Sequence, residues 1–298
     1  MRLRENNHVV GYVFISPFVL GFLIFTLYPI LSSLYLSFTQ YDLLSSATWI
    51  GTDNYQKMLM DDEMYWKSLK VTLTYVFASV PLRLAFALFV AMILNKAMSG
   101  IGLYRAAFYL PSLIGGSVAV SIMWKQIFGE KGLVNSFLGV IGIHTDVSWI
   151  GHPATALWTL ILLSVWQFGS SMLIFLAGLK NIPASYYEAA AVDGAGGIRK
   201  FFQITLPLLS PIILFNLIMQ TISAFMTFTP AYIISNGEGS PLGNTLLYSL
   251  YLFRRAFVFF EMGYASAMAW AMLIIIAVIT LVIFKSSKYW VHYESKGE

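Results

Sequence analysis

Residues 264–284 have the sequence YASAMAWAMLIIIAVITLVIF, in which no side chain is charged. A helix that crosses the hydrocarbon layer of a membrane needs about 20 consecutive apolar residues, and this stretch supplies them. The whole chain has the same character, because 58% of its 298 residues are hydrophobic, 11% are charged and the mean hydropathy is +0.73. A soluble domain carries roughly 25% charged residues. The composition therefore predicts a protein that resides in a lipid bilayer.

Other apolar stretches predict further crossings, which makes six in all. The predicted spans are residues 9–38, 70–95, 105–127, 154–179, 206–234 and 264–284, within one transmembrane domain covering residues 1–298. We expect an all-α helical bundle, with the loop 180–205 outside the membrane. The first span is too long for a signal peptide and no small-x-small cleavage site follows it, so we expect it to stay as an anchor.

The lysine and arginine residues predict the orientation of the chain. Six crossings put both termini on one side, and cations are concentrated on cytoplasmic loops. The side of the termini has the higher density of cations, with Arg2, Arg4, Lys96, Arg105, Lys180, Arg199, Lys200, Lys285, Lys288 and Lys296. Both termini are therefore predicted to be cytoplasmic. The pI of 9.1 comes without a Lys/Arg run, so we expect no nucleic-acid partner.

Polar and aromatic side chains lie near the middle of several predicted spans. An arginine at the centre of a bilayer costs about 2.5–3.5 kcal/mol on insertion scales, so Arg83 should face the bundle interior or a water-filled cavity. Asn216, Gln220 and Ser223 share one helical face. Sugars offer hydroxyls to amides and ring faces to aromatic side chains. The predicted substrate path comprises Arg83, Trp166, Gln167, Asn216, Gln220 and Ser223.

Structural roles are the alternatives for these residues. Arg83 would contact an anionic or polyhydroxyl substrate in the functional interpretation, whereas in the structural one it pairs with interior carbonyls or with a neighbouring subunit. The amides of Asn216 and Gln220 would instead form a hydrogen-bonded seam between helices.

Residues 181–211, between the fourth and fifth predicted spans, have the sequence NIPASYYEAAAVDGAGGIRKFFQITLPLLSP. Ser185 and Glu188 have the spacing of a capping box, which predicts the start of a helix. The alanines that follow favour a helix, and Gly194 stands where a C′ glycine would end it. Such small side chains would let the helix enter a groove of another protein. The alternative is a helix on the lipid surface, which would need a bulky apolar face and a basic face.

Several groups of residues resemble a known family. Glu188-Ala189-Ala190, Asp193-Gly194-Ala195, Ile204, Leu206-Pro207 and Pro211 resemble the EAA loop of binding-protein-dependent ABC importer permeases. Three other stretches resemble the carbohydrate branch of that family, in its maltose-type or multiple-sugar form. They are FISPFVLGFLIFTLYPILSSLYLSFTQYD (14–42), WIGTDNYQKML (49–59) and MGYASAMAW (262–270).

The resemblance implies an assembly in the inner membrane of a bacterial or archaeal cell. Its other members would be a second, homologous permease forming a heterodimer, two cytoplasmic ATPase subunits and an external binding protein that delivers a sugar or oligosaccharide. ATP and Mg would be bound by the ATPase, so no cofactor is expected on this chain.

The resemblance also implies roles for the loop residues. Glu188 would make a charged contact to the ATPase, Ala189 and Ala190 would pack in its cleft, and Gly194 would form the turn. Asp193 and Pro207 complete the predicted coupling set.

No catalytic or metal motif accompanies these features. The chain has neither a GxxxxGK[ST] phosphate loop nor HExxH, and its histidines are scattered at His8, His144, His152 and His292. We therefore expect no enzyme activity. A transferase acting on lipid-linked sugars is one alternative, for which Asp61, Asp62 and Glu63 form a carboxylate cluster without a partner motif. A secondary transporter is another, but no predicted span contains the carboxylate that ion coupling favours.

Overall fold

The computed structural model describes residues 7–96 and 100–292, and helices dominate it. The helices are α1 (Asn7–Phe22), α2 (Tyr28–Ser37), α3 (Asp53–Gln56), α4 (Glu63–Leu94), α5 (Ile101–Ile114), α6 (Val118–Ile127), α7 (Leu133–Val140), α8 (Ala156–Trp166), α9 (Gly169–Asn181), α10 (Ala184–Val192), α11 (Gly197–Lys200), α12 (Leu206–Phe225), α13 (Thr229–Ile234), α14 (Tyr248–Phe257) and α15 (Met262–Ser286). Short π-helical turns at Leu23–Leu27, Lys57–Asp61 and Phe201–Thr205 interrupt the helical segments. The predicted all-α class is confirmed.

Four helical stretches among the described residues are long and apolar enough to cross a membrane. They are Gly11–Ser37, Glu63–Leu94, Gly197–Ile234 and Met262–Tyr289. Two helix pairs pass the same test only together: α5 with α6, bent by 98°, and α8 with α9, bent by 42°. Counting each bent pair as one crossing gives six, the number predicted from the sequence.

The sharp bend between α5 and α6 has a local cause. Gly115 and Gly116 follow α5, and glycine weakens a helix interior. Ser117 then adopts an extended conformation and caps α6, its hydroxyl accepting the N–H of Val120 at 3.3 Å. A serine in this position satisfies an otherwise orphan donor of the new helix. The third predicted span, 105–127, is therefore two helices and not one straight rod.

The described chain divides into two compact units. The first comprises the residues up to Glu63 together with Leu252–Leu273, and the second comprises Met64–Tyr251 together with the residues from Ile274 onward. The single domain at 1–298 stays a prediction from the sequence.

A short hairpin and α3 organise the first unit. Strands β1 (Thr39–Gln40) and β2 (Thr48–Trp49) pair in antiparallel fashion. The side-chain amide of Asn54 donates to the carbonyls of Ser37 and Thr39, each at 2.9 Å. Gly263 approaches the same turn so closely that a Cβ would lie 2.0 Å from the Thr39 carbonyl oxygen. By contrast, no side chain in the most apolar window of Gly11–Ser37 is buried within the chain, as expected for a helix surrounded by lipid or by another subunit.

Close helix contacts form the core of the second unit, where α9 packs against both α5 and α12. Leu209 of α12 and Met172 of α9 are completely buried. A Cβ at Gly178 of α9 would lie 2.2 Å from Ile212 Cδ1 of α12, which shows how closely the two helices approach. In lipid the hydrophobic effect does not drive helices together, so such packing and interhelical hydrogen bonds must hold them.

Candidate functional site

Helix α10 corresponds to the predicted loop helix, and none of its side chains is buried. Pro183, in an extended conformation, is its N-cap, and no side chain caps the first turn. The predicted capping box of Ser185 and Glu188 is therefore wrong. The fixed φ of Pro183 starts the helix early, so Ser185 already lies inside it and cannot serve as the N-cap.

The predicted end of α10 is confirmed in detail. Gly194 has φ +71°, the left-handed conformation that favours glycine. Its N–H donates to the Ala191 carbonyl at 3.1 Å, and the N–H of Ala195 donates to the Ala190 carbonyl at 2.8 Å. These two bonds form a Schellman motif, which satisfies carbonyls at the helix end. Gly194 therefore sets the direction in which the chain leaves α10.

The surface of the loop exposes both apolar and charged side chains. Val192 is 89% exposed and Ile198 is 79% exposed, while Glu188 and Asp193 are also exposed. The Tyr187 hydroxyl lies 2.9 Å from Thr205 Oγ1, a buried residue just before α12, which links the loop to that helix. Outside the membrane, where the loop is predicted to lie, the exposed Val192 and Ile198 side chains would face water unless a partner covered them.

Pro207, the last residue of the predicted coupling set, lies in the first turn of α12 and is half-buried. The helical backbone is continuous here, because α12 directly follows the π-helical turn Phe201–Thr205 within the stretch Gly197–Ile234. That local π-helical adjustment accommodates the proline, which has no backbone N–H to donate. Ala189 is exposed and Ala190 is partly exposed on α10, so their small side chains leave room beside that helix.

The two bent helix pairs meet where each of them is broken. The Gln167 carbonyl, freed by the break between α8 and α9, accepts from Arg83 Nη2 at 2.5 Å and from Ser112 Oγ at 2.9 Å. The Gln167 side chain donates to the Gly115 carbonyl at 3.1 Å, and the N–H of Ser170 donates to Ser112 Oγ at 3.0 Å. Freed backbone groups at membrane depth need such partners. These hydrogen bonds therefore hold the break between α8 and α9 in one geometry.

A cavity of about 530 Å³ adjoins this network. It lies between α4, α8, α12 and the segment that leads into α13. Its polar lining consists of Tyr75, Arg83, Ser164, Gln167, Ser223, Thr227 and Thr229. Cavities of roughly 300–1,000 Å³ with a few polar groups are typical of ligand sites. This one brings several hydrogen-bonding groups together within an otherwise apolar segment.

Three of the six predicted path residues line this cavity, namely Arg83, Gln167 and Ser223. The other three lie outside its lining. The Trp166 ring lies 5.9 Å from the Trp124 ring, and Gln220 is half-buried. Asn216 is 1% exposed and donates to the Ile212 carbonyl at 3.2 Å, and its Oδ1 atom has no hydrogen-bond partner among residues 7–96 and 100–292.

Tyr75, Ser164 and Thr227 were not predicted as lining residues. The spacing could have indicated two of them: Ser164 precedes Gln167 by three positions and Thr227 follows Ser223 by four, so each pair shares one side of a helical turn. Nothing comparable in the sequence points to Tyr75.

A second recess, of about 610 Å³, lies in the first unit. Its lining combines carboxylates with aromatic rings, among them Asp42, Asp53, Asp61, Glu261, Phe259 and Phe260. The Ser45 hydroxyl and N–H, 2.7 and 2.8 Å from Asp42 Oδ1, hold the pKa of that carboxyl below its usual range. Hydrogen bonds to an ionised carboxylate favour its charged form.

The carboxylate cluster that suggested a transferase does not share one environment. Asp62 is buried, and its Oδ2 atom accepts from Arg255 at 2.9 Å and from the Tyr264 hydroxyl at 2.6 Å. Asp61 instead lines the recess and is exposed, as is Glu63. Asp62 therefore has an evident structural role, since breaking a buried ion pair is strongly destabilising. Across residues 7–96 and 100–292, no group of three acidic or histidine side chains has an arrangement that could hold a metal ion.

Comparison with known proteins gives consistent results. Residues 64–290 match the family described as "binding-protein-dependent transport system inner membrane component". The chain is 67% identical over 296 residues to the probable ABC transporter permease protein YesP of Bacillus subtilis, a match that covers 99% of this chain and 96% of YesP. It is 35% identical over 290 residues to the arabinooligosaccharides transport system permease protein AraP of the same organism, covering 96% and 90%.

A solved structure has the same fold. It is a bacterial alginate ABC transporter in complex with an alginate pentasaccharide-bound periplasmic protein, and one of its chains matches with a TM-score of 0.82 at 22% identity. The match covers 97% of this chain and 98% of that one. At this level of identity the likeness concerns the fold.

Proposed function

This chain belongs to the family of binding-protein-dependent transport system inner membrane components, and from that premise we propose that it forms the translocation path of an ATP-driven importer of oligosaccharides. It is an integral inner-membrane protein and a transport subunit, not an enzyme; ATP hydrolysis belongs to separate subunits. The observation that carries the proposal is the polar cavity at the break of α8 and α9, within apolar spans. A carbohydrate needs such hydrogen-bonding groups to cross the hydrocarbon layer.

The carbohydrate class is supported by what related proteins carry. AraP is named for arabinooligosaccharides, and the structural neighbour was solved with a binding protein that holds an alginate pentasaccharide. Arg83, Gln167 and Ser223 would contact the sugar in the cavity. We propose that Trp166, Asn216 and Gln220 border the same path in the assembled complex, because Gln220 is half-buried and Asn216 Oδ1 is buried without a hydrogen-bond partner in the described part of the chain.

The loop around α10 is proposed to couple this path to the ATPase. Glu188 would make the charged contact, and Ala189 and Ala190 would let the helix enter a cleft. Asp193 and Gly194 would set the exit from the helix, and Pro207 would complete the coupling set in the first turn of α12. The exposure of the α10 side chains supports this role, since the helix has no partner within the described residues that buries them.

The complete transporter would contain a second, homologous permease, two cytoplasmic ATPase subunits and an external binding protein. ATP and Mg would be held by the ATPase subunits. Both termini and the loop would face the cytoplasm, as the distribution of lysine and arginine predicts.

Reconstitution of the four kinds of subunit in proteoliposomes tests the proposal. We expect uptake of labelled oligosaccharide only when ATP is present on the ATPase side and the binding protein on the other side. Uptake that follows an ion gradient without ATP would instead indicate a secondary transporter. Transfer of sugar to or from a lipid, without accumulation in the lumen, would support the transferase alternative.

A further inference from the structure

Arg83 is a cation without a carboxylate partner. It lies within α4, is partly buried, and forms no ion pair with any residue in the described part of the chain. Its one hydrogen bond joins Nη2 to the Gln167 carbonyl, a neutral acceptor. A charge that leaves water without a counter-ion costs several kcal/mol, of which a single carbonyl offsets only a part. The position therefore favours binding of an anion.

The guanidinium of Arg83 has further N–H donors with which to bind such an anion. Nε is buried without a partner, whereas Nη1 is not among the buried atoms and donates to no protein group in the described residues. Arg83 also belongs to the lining of the cavity. Because the Gln167 carbonyl holds Nη2, the planar fork is fixed in orientation before a ligand arrives. Less side-chain freedom is then lost on binding.

The described residues that line the cavity provide no negative charge. Its polar side chains are neutral apart from Arg83, being hydroxyls and one amide, and its remaining lining is apolar or glycine. A neutral sugar would satisfy hydrogen bonds there but would leave the arginine charge uncompensated. A carboxylate on the sugar would supply the missing charge and can accept two parallel N–H bonds from a guanidinium.

We infer that this cavity selects acidic oligosaccharides, with a sugar carboxylate pairing with Arg83. The inference rests on the proposed function, of which it specifies the substrate class. Ser223, Thr227 and the Gln167 side chain lie around the same space and suit the hydroxyls of the sugar. Arg83 thus combines two contacts, one to the broken helix and one to the substrate.

Two pairs of substrates test this inference, each consisting of an acidic trisaccharide and its uncharged methyl ester. Trimannuronate and trigalacturonate, and the methyl esters of both, are compared in proteoliposomes that hold the complete transporter with its binding protein. The quantity measured is the ratio of kcat/KM for acid and ester. The ratio is taken within one preparation, so the fraction of folded protein cancels, and the binding protein is the same throughout.

Arg83→Gln is expected to lower the acid-to-ester ratio by about 10- to 100-fold, the usual effect of one hydrogen bond to a charged group. Arg83→Lys keeps the positive charge but lacks the planar guanidinium, so it should retain part of the preference for the acid over the ester. Lys70→Gln is the matched control, because it removes an exposed cation from the same helix, and it should leave the ratio unchanged.

Three results would overturn the inference. Equal losses for acid and ester in Arg83→Gln would make Arg83 a positioning residue for the break, or a partner of a carboxylate on the second permease. Uptake of neutral but not acidic trisaccharides by the wild type would exclude the substrate class while leaving the importer function intact. If neither acidic nor neutral oligosaccharides were taken up, the proposed importer function would be wrong, and this inference with it.

Discussion

Replacing Glu188 by lysine is expected to reduce uptake by about 30-fold or more, while the protein still inserts and assembles with its partner permease. Glu188 is exposed on α10, a helix none of whose side chains is buried by the part of the chain that the structure describes. The change should therefore not disturb folding. At the proposed ATPase contact it reverses a charge, and like charges brought together at an interface cost several kcal/mol. The measurements are ATP-driven uptake and co-purification of the ATPase.

Glu130→Lys is the matched control for this experiment. Glu130 is exposed, and its carboxylate has no hydrogen-bond or ion-pair partner in the described structure. The net charge changes by the same amount, but the site lies outside the loop, so uptake should stay near the wild-type value. Normal uptake and normal ATPase co-purification in Glu188→Lys would show that α10 is not the docking helix.

Replacing Gly169 by valine is expected to prevent stable folding of the second unit. A Cβ at Gly169, in the first turn of α9, would lie 2.5 Å from the Phe108 carbonyl oxygen and 2.7 Å from Tyr109 Cα. Both are backbone atoms of α5, which cannot move as a flexible side chain does. Overpacking of this kind costs about 3 kcal/mol. We expect a clear drop in thermal stability in detergent and a lower yield of monodisperse protein.

Gly102→Val separates this clash from the general effect of valine on a helix. Gly102 lies in α5, and a Cβ there would meet no atom within 4 Å. Thermal stability should therefore stay close to that of the wild type. A similar melting temperature for the two variants would contradict the close contact between α5 and α9.

The positions of the spans could be predicted because length and hydropathy determine them. The bend between α8 and α9 could not, because the contacts that stabilise it are distant in sequence. The sequence around Gln167 is apolar enough to continue one helix, and its break is stabilised by Arg83 of α4 and Ser112 of α5. Likewise, the helix periodicity gave no indication that α5 and α6 differ in direction by 98°.

Depth along the predicted spans assigned Arg83 and Gln167 to one path, but depth does not determine which way a side chain points. Trp166 directly precedes Gln167, yet only Gln167 lines the cavity, because consecutive residues at the end of a helix point in directions about 100° apart. On α12, Asn216 and Ser223 share a face by spacing, but Asn216 is buried and Ser223 is exposed. Neighbouring helices therefore cover this face of α12 at the level of Asn216 but not at the level of Ser223.

The local sequence signals in the loop differed in how well they predicted the start and the end of α10. The C′ role of Gly194 follows from the intrinsic conformational freedom of glycine, so the sequence alone was enough. The capping box depended on where the helix begins, and Pro183 moved that start ahead of Ser185. The roles of Glu188 and its neighbours depend on a partner protein, which only experiment on the assembly can test.

In the proposed importer, the cavity at the helix break would belong to a path that opens to each side of the membrane in turn. The chain contains no cysteine, so Ser223→Cys places one nearly isosteric thiol in the cavity lining. The rate of its modification by a membrane-impermeant thiol reagent is measured from each side of sealed vesicles, with and without trapped ATP. We expect modification from one side in the nucleotide-free complex and from the other side in the ATP-trapped complex. Rates that are independent of nucleotide on both sides, or no modification from either side, would contradict the account.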